Sequence, residues 1–195
     1  MNYNKAVFVK SAQKISQLPA DSNAEVAFAG RSNAGKSSAL NTITNIRSLA
    51  RTSKTPGRTQ LLNYFKIAQH HYLVDLPGYG YAKVPGEVQV DWEKTLSEYI
   101  ETRPQLRGLV LIMDVRHPLK DQDQQMIHWV TSQNLALHIL LSKADKLTRG
   151  AAANTLLQVK KDLDLYGDLV SVQLFSSMKN TGVDEARAKL DTWFA

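Results

Sequence analysis

A three-layer α/β fold, a mostly parallel sheet with helices on both faces, is what this sequence predicts, and three observations predict it. Short apolar runs alternate with longer stretches of helical periodicity, a glycine-rich turn joins one such run to the helix after it, and two of the runs nearly abut. The runs EVAFAG, LLNYFKIA, HYLVDLPG, LVLIMDV, LALHILLSKAD and LVSVQLFSS have the length and the branched or aromatic content of strands. Helical patterns with polar faces cover 36–46, 91–102, 120–132, 150–163 and 182–194. Alternation of strand and helix implies parallel pairing, because each crossover helix returns the chain to the same end of the sheet. Only Gln69 and His70 part LLNYFKIA from HYLVDLPG, so these two form a hairpin and the one antiparallel pair. The count is six strands, with VFVKSA a candidate seventh.

A chain of 195 residues with 43% hydrophobic content can bury one core, and no repeat or long linker divides it, so a single domain over residues 1–195 is expected. The absence of cysteine excludes a disulfide framework and thiolate metal sites. Lys5, Lys10 and Lys14 interrupt the apolar pieces of the first twenty residues, and no run approaches the roughly 18 apolar residues that span a bilayer. A soluble cytoplasmic protein without membrane association is the expectation. The net charge of +6 is uneven: residues 1–66 hold ten Lys/Arg against two Asp/Glu, and the remainder fourteen against sixteen. The basic third attracts polyanions, whether nucleotide phosphates or an RNA backbone, and a merely solvated basic surface is the equal alternative. No DNA partner is expected. Residues 47–60 and 77–90 lack periodicity and read as mobile loops, while Trp92, Trp129 and Trp193 fall in helical patterns as packing residues.

The strongest chemical element is GRSNAGKS, comprising Gly30, Arg31, Ser32, Asn33, Ala34, Gly35, Lys36 and Ser37, placed between a strand and a helix. This is a P-loop: the glycines let backbone N–H groups cradle phosphate, Lys36 reaches the β and γ oxygens, and the Ser37 hydroxyl ligates Mg²⁺. The fold class is thereby narrowed to the Ras-like P-loop NTPase architecture. DLPG follows the strand HYLV; Asp75 would hold Mg²⁺ through a water, the Gly78 N–H would meet the γ-phosphate, and Leu76 and Pro77 shape the turn. SKAD, with Ser142, Lys143, Ala144 and Asp145, selects guanine over adenine, because the Asp145 carboxylate accepts from the guanine N1–H and 2-amino group. The Lys143 stem lies over the base, and a loop N–H of Phe175, Ser176 or Ser177 bonds guanine O6. In the loop TPGRTQ and the leucine after it, Gly57, Arg58, Thr59, Gln60 and Leu61 line the nucleotide. Thr59 is the choice for the second Mg²⁺ hydroxyl, present with the γ-phosphate, and Thr52 and Thr55 are its competitors. Lys36, Thr59 and Gly78 are the candidate catalytic residues.

GRSNAGKSS, ARTSKTPGRTQ, DLPGYGYAKV, RHPLKD, SKAD and LFSS together resemble, over nearly the whole chain and in the same order, the EngB (YihA/YsxC) family of bacterial ribosome-assembly GTPases. The resemblance implies GTP binding and hydrolysis to GDP, Mg²⁺, association with the large ribosomal subunit or its rRNA, and a requirement in cell division and septation. Ser142 stands where Thr or Asn is usual, which keeps the hydroxyl and loses a methyl contact. Tyr79-Gly80-Tyr81 follows Gly78, so the glutamine that orients water in Ras-like proteins is missing and slow unassisted hydrolysis is expected. Asn33 either shapes the loop or, as in relatives with this loop pattern, helps bind K⁺. His70 and His71 point to opposite sheet faces and do not share a metal, and Asp114 and His117 shape the RHP segment. A switch that times assembly is the leading function. A nucleotide-dependent RNA tether with incidental hydrolysis is the alternative, and a kinase lacks room for a lid.

Overall fold

The computed structural model describes residues 1–50, 61–79 and 86–195, with the backbone alone for 86–93. The strands are β1 (Val7–Ala12), β2 (Ala24–Gly30), β3 (Leu62–Ala68), β4 (His71–Asp75), β5 (Leu106–Asp114), β6 (Leu137–Ser142) and β7 (Val170–Leu174). The helices are α1 (Lys36–Thr44), α2 (Gly86–Thr102), α3 (Asp121–Ser132), α4 (Arg149–Asp162) and α5 (Val183–Phe194). The sheet runs β1-β3-β4-β2-β5-β6-β7. VFVKSA is the seventh strand, and β3 alone runs against the others, pairing antiparallel with β4 in the expected hairpin and with β1 on its other side. Helix α2 starts five residues before the predicted boundary.

Alternation along each strand splits the core in two. Ala27 and Ala29 of β2 and Leu109, Leu111 and Met113 of β5 face a layer filled by Leu96, Tyr99, Ile127 and Val159 from α2, α3 and α4. Val26, Phe28, Val110 and Ile112 face the opposite layer with Leu40 and Ile43 of α1 and Leu190 and Phe194 of α5. Central strands covered on both faces must be apolar throughout, and every residue of β2 is buried.

The one charge within β2 is Glu25, which is fully buried and fully satisfied. It accepts from the Tyr64 hydroxyl at 3.0 Å, the Tyr99 hydroxyl at 2.8 Å and Arg103 Nη2 at 2.6 Å. Breaking such a pair on one side costs about 3–5 kcal/mol, because it leaves a buried charge alone. Tyr64 belongs to β3 and Tyr99 to α2, so one carboxylate at the start of β2 secures both the strand that follows residues 51–60 and the helix that follows residues 80–85.

Candidate nucleotide site

Four turns meet beyond the carboxyl ends of β2, β4, β6 and β7, the crevice in which open α/β sheets bind ligands. The turn after β2 is shaped by two glycines in different ways. A Cβ on Gly30 would lie 2.8 Å from the Ile112 carbonyl oxygen, so glycine is needed there because β5 passes close by, not because the loop bends. Gly35, at φ +101, supplies the bend and leads into α1, whose first turn presents Lys36 and Ser37. Asn33 has φ 62, a left-handed conformation that asparagine tolerates better than most residues, and its side chain is exposed. Loop shaping is therefore the Asn33 role with a structural observation behind it.

Lys36 Nζ donates to Asp75 Oδ1, joining the α1 turn to the end of β4. Both side chains are nearly buried, at 11% exposure, and the lysine charge and the carboxylate neutralise each other there. The unpaired N–H groups at the start of α1 add a field that favours anions. Leu76 N–H donates to the Phe28 carbonyl, continuing the β2 pairing into the turn that carries Pro77 and Gly78.

Tyr79 is held tightly against the P-loop. Ser32 N–H donates to the Tyr79 carbonyl at 3.0 Å, and the Tyr79 hydroxyl donates to Asp123 Oδ1 at 2.9 Å. Asp123, in the first turn of α3 and fully buried, also accepts from Arg31 Nε at 3.1 Å and from the Lys120 N–H at 3.2 Å. Burial and the Asp123 charge push the Tyr79 phenol far above its ordinary range. A single carboxylate thus binds Arg31 of the P-loop, Tyr79 after DLPG and the N-terminus of α3.

At the other end Ser142, Lys143 and Asp145 converge on the same loop. The Ser142 hydroxyl lies 2.5 Å from the Ala34 carbonyl and 3.1 Å from that of Met113, and Lys143 Nζ donates to the Asn33 carbonyl at 2.7 Å. Lys143 also pairs with Asp114 Oδ2 at 3.1 Å. Asp114 accepts from Arg116 Nη2 at 2.6 Å, and this bond first, with Lys143 beside it, holds its carboxyl well below the usual carboxylate range. Ala144 N–H donates to the Phe175 carbonyl, and the Ser176 hydroxyl donates to Asp145 Oδ1 at 2.5 Å, the leading cause of that carboxyl's lowered pKa. The Ser176 N–H is taken by the Thr181 carbonyl, so Ser176 works through Asp145 rather than through its own amide, and half-buried Ser177 follows it.

The structure therefore brings together residues 30–37, 75–78, 142–145 and 175–177. Gly57, Arg58, Thr59 and Gln60, with Thr52 and Thr55, lie outside the described residues, and Leu61 stands half-buried before β3. Asp123 was missed by sequence reasoning. His70 and His71 have separate partners, Asp21 and the Gln69 carbonyl, and no metal-ligating cluster of acidic and histidine side chains occurs among the described residues. No helix among those residues is long and apolar enough to cross a membrane.

A seven-stranded sheet with this loop after β2 and these turns after β4, β6 and β7 defines a P-loop GTPase domain. The profile of the family described as 50S ribosome-binding GTPase matches residues 25–143. A probable GTP-binding protein EngB of Escherichia coli strain K12 is 58% identical over all of this chain and 93% of its own length. One from Vibrio parahaemolyticus is 56% identical over all of this chain and 89% of its own. Among solved structures, a probable GTP-binding protein engB superposes with TM-score 0.68 at 20% identity, covering 87% of this chain and 98% of that one. Era bound to MgGDPNP and nucleotides 1506–1542 of 16S ribosomal RNA gives TM-score 0.68 at 19% identity, over 87% of this chain and 56% of Era. The chain belongs to the EngB family of GTP-binding proteins, and GTP hydrolysis is the activity that membership implies.

Proposed function

We propose that the chain is a guanine-nucleotide switch that assists assembly of the large ribosomal subunit in the bacterial cytoplasm, in a process on which normal cell division depends. The observation that carries this reading is the joining of phosphate and base elements through Ser142 to Ala34 and Lys143 to Asn33, which sets them at a fixed separation. In this reading backbone N–H groups of residues 30–37 and Lys36 hold the phosphates, and Gly78 meets the γ-phosphate. Asp145 reads the guanine edge, with Lys143 along the base and the turn of residues 175–177 beside it. Lys36 leaves Asp75 for phosphate oxygen as the nucleotide enters.

The Ser37 hydroxyl and, through a water, the Asp75 carboxylate offer the hard oxygen chemistry that suits Mg²⁺, with Thr59 the second hydroxyl. Mg²⁺ held by these residues would supply charge neutralisation for phosphoryl transfer. Intrinsic turnover is slow, because Tyr79 stands where a water-orienting glutamine would be and its hydroxyl is committed to Asp123. The family description and the RNA-bound Era support a ribosomal partner.

Sedimentation with separated ribosomal subunits in GTP analogue, GDP and no nucleotide tests partner and switch together. Co-sedimentation with large subunits in the analogue alone is the expected result, and equal binding in all three conditions defeats the switch. A tether with incidental hydrolysis is told apart by turnover: large subunits accelerate a timer and leave a tether unchanged.

A further inference from the structure

Among the described residues β1 is the outer strand, and it holds an unusual run: Val7, Phe8 and Val9 are 55, 56 and 43% exposed. Among the described residues they are three of the seven exposed large hydrophobic side chains, grouped on this one strand. Lys5, Lys10 and Lys14 flank the run, and Lys66 of β3 is the register partner of Val7. The nearby carboxylates are engaged: Glu25 is buried on Arg103, Asp21 pairs with His70, and Asp191 holds the amino terminus. By register Lys10 pairs with Tyr64 and Lys66 with Val7, which sets both lysines on the sheet face opposite Phe8 and Phe65, so the edge strand carries cations on one face and an aromatic ring on the other.

Two occupants fit poorly. A second copy would set this cationic edge against itself. An added protein strand would meet a register break, because β1 bulges between Phe8 and Lys10, and bulges and lysines are devices that block strand addition. A polyanion with unstacked aromatic bases fits both features. The Phe8 ring packs edge to face on Phe65, centroids 5.9 Å apart and planes at 62°, which fixes its orientation before anything binds. A ring so held offers a stacking surface, and a single strand that runs along the edge can set its phosphates against Lys10 and Lys66 across the strand.

We propose that the β1 edge, centred on Phe8 with Lys5 and Lys10, binds single-stranded RNA by stacking an unpaired base on Phe8. The proposal rests on the ribosomal-RNA reading above and locates the contact away from the nucleotide, since β3 and β4 separate β1 from β2.

The test measures anisotropy of a short labelled oligouridylate, and of an RNA duplex of equal length, with the full chain over a range of salt. Phe8→Ala and Phe8→Leu should each weaken oligouridylate binding about tenfold, the leucine keeping the contact with Phe65 but not the ring, while Phe8→Tyr binds like wild type. Lys10→Gln should lower the slope of log K against log salt by about 0.7. GDP affinity, measured alongside, should stay at the wild-type value in all four variants and so reports an intact fold. Equal oligouridylate binding by Phe8→Leu and wild type overturns the proposal, as does tighter binding of the duplex. So does a concentration-dependent dimer that Phe8→Ala abolishes, which would give the edge to a second copy. A wild type that stacks RNA on Phe8 yet fails to sediment with large subunits supports the surface and removes only the ribosomal reading.

Discussion

Asp145 shows how one hydrogen bond orients a recognition group. The Ser176 hydroxyl donates to Oδ1, which leaves Oδ2, 3.8 Å from Lys146 Nζ, to face a base edge. In Asp145→Asn the remaining carbonyl can still accept from Ser176 while the amide nitrogen turns a donor toward the base. GTP affinity should fall by about a hundredfold or more, and xanthosine triphosphate, which presents an acceptor there, should bind better than GTP. Competition binding with the two nucleotides measures this, and unchanged GTP affinity would take Asp145 out of the base site. Asp123 acts at the other end through its neighbours. All its partners are donors, so an amide in its place sets one N–H against another, and a buried unsatisfied group costs about 1–3 kcal/mol. Because Asp123 fixes Tyr79 beside Gly78, Asp123→Asn should weaken a non-hydrolysable GTP analogue more than GDP, with Tyr79→Phe intermediate. A purely structural role predicts equal losses for both nucleotides, and calorimetric titration of each separates the two.

At the scale of elements, the strand runs were legible because buried strands leave dense apolar blocks; VFVKSA lies residue for residue on β1. The start of α2 was not, since Gly86-Glu87-Val88-Gln89-Val90 alternates with period two and hides the helix that begins after Pro85. The phosphate and base elements could be read because their chemistry fixes residue types at short spacing. Asp123 could not: its partner Arg31 is 92 residues away, and an aspartate in a first helical turn reads as a dipole or capping residue. Likewise His138 on β6 looks unremarkable in sequence, yet it joins β6 to β7, accepting from the Ser171 hydroxyl and donating to Gln173, which in turn donates to the Gly182 carbonyl before α5. Burial, with the Lys189 charge adding to it and the Gln173 bond opposing, pushes the imidazole down from 6.5 to about 4. The unfolded chain binds the proton first as pH falls, so stability is constant above about 6.5, declines toward about 4 and levels below. The decline attributable to this group is about 3 kcal/mol at most. Urea midpoints from pH 7 to 4 should fall more steeply for wild type than for His138→Gln, and parallel curves would show that the imidazole protonates without cost in the fold.

Across the whole molecule the charge is divided: the first 66 residues carry ten Lys/Arg, and of their two carboxylates Glu25 is buried, leaving Asp21. Such a field extends about 8–10 Å at physiological ionic strength, so it acts on a partner that comes into contact rather than on one in bulk solution. Arg51 and Lys54 belong to this third and lie between α1 and β3, in the same segment as Thr59, the proposed second Mg²⁺ hydroxyl. Neutralising both as Arg51→Gln and Lys54→Gln should weaken large-subunit binding and flatten its salt dependence, each lost phosphate contact removing close to one unit, about 0.7–0.9, from the slope of log K against log salt. GDP affinity should hardly move, because the residues that hold phosphate and base in the proposed site are elsewhere. Arg58 is left intact, since within PGRTQ it stands beside Thr59 and its loss would mix nucleotide and ribosome effects. Phe8 sits opposite Phe65 within β3, whereas Arg51 and Lys54 precede that strand in the sequence, so their contributions are tested apart: the double variant should retain oligouridylate stacking on Phe8, and Phe8→Ala should retain the GTP dependence of sedimentation. Wild-type affinity and salt slope in the double variant would return Arg51 and Lys54 to the solvated surface and move the search for the ribosomal contact to residues 77–90.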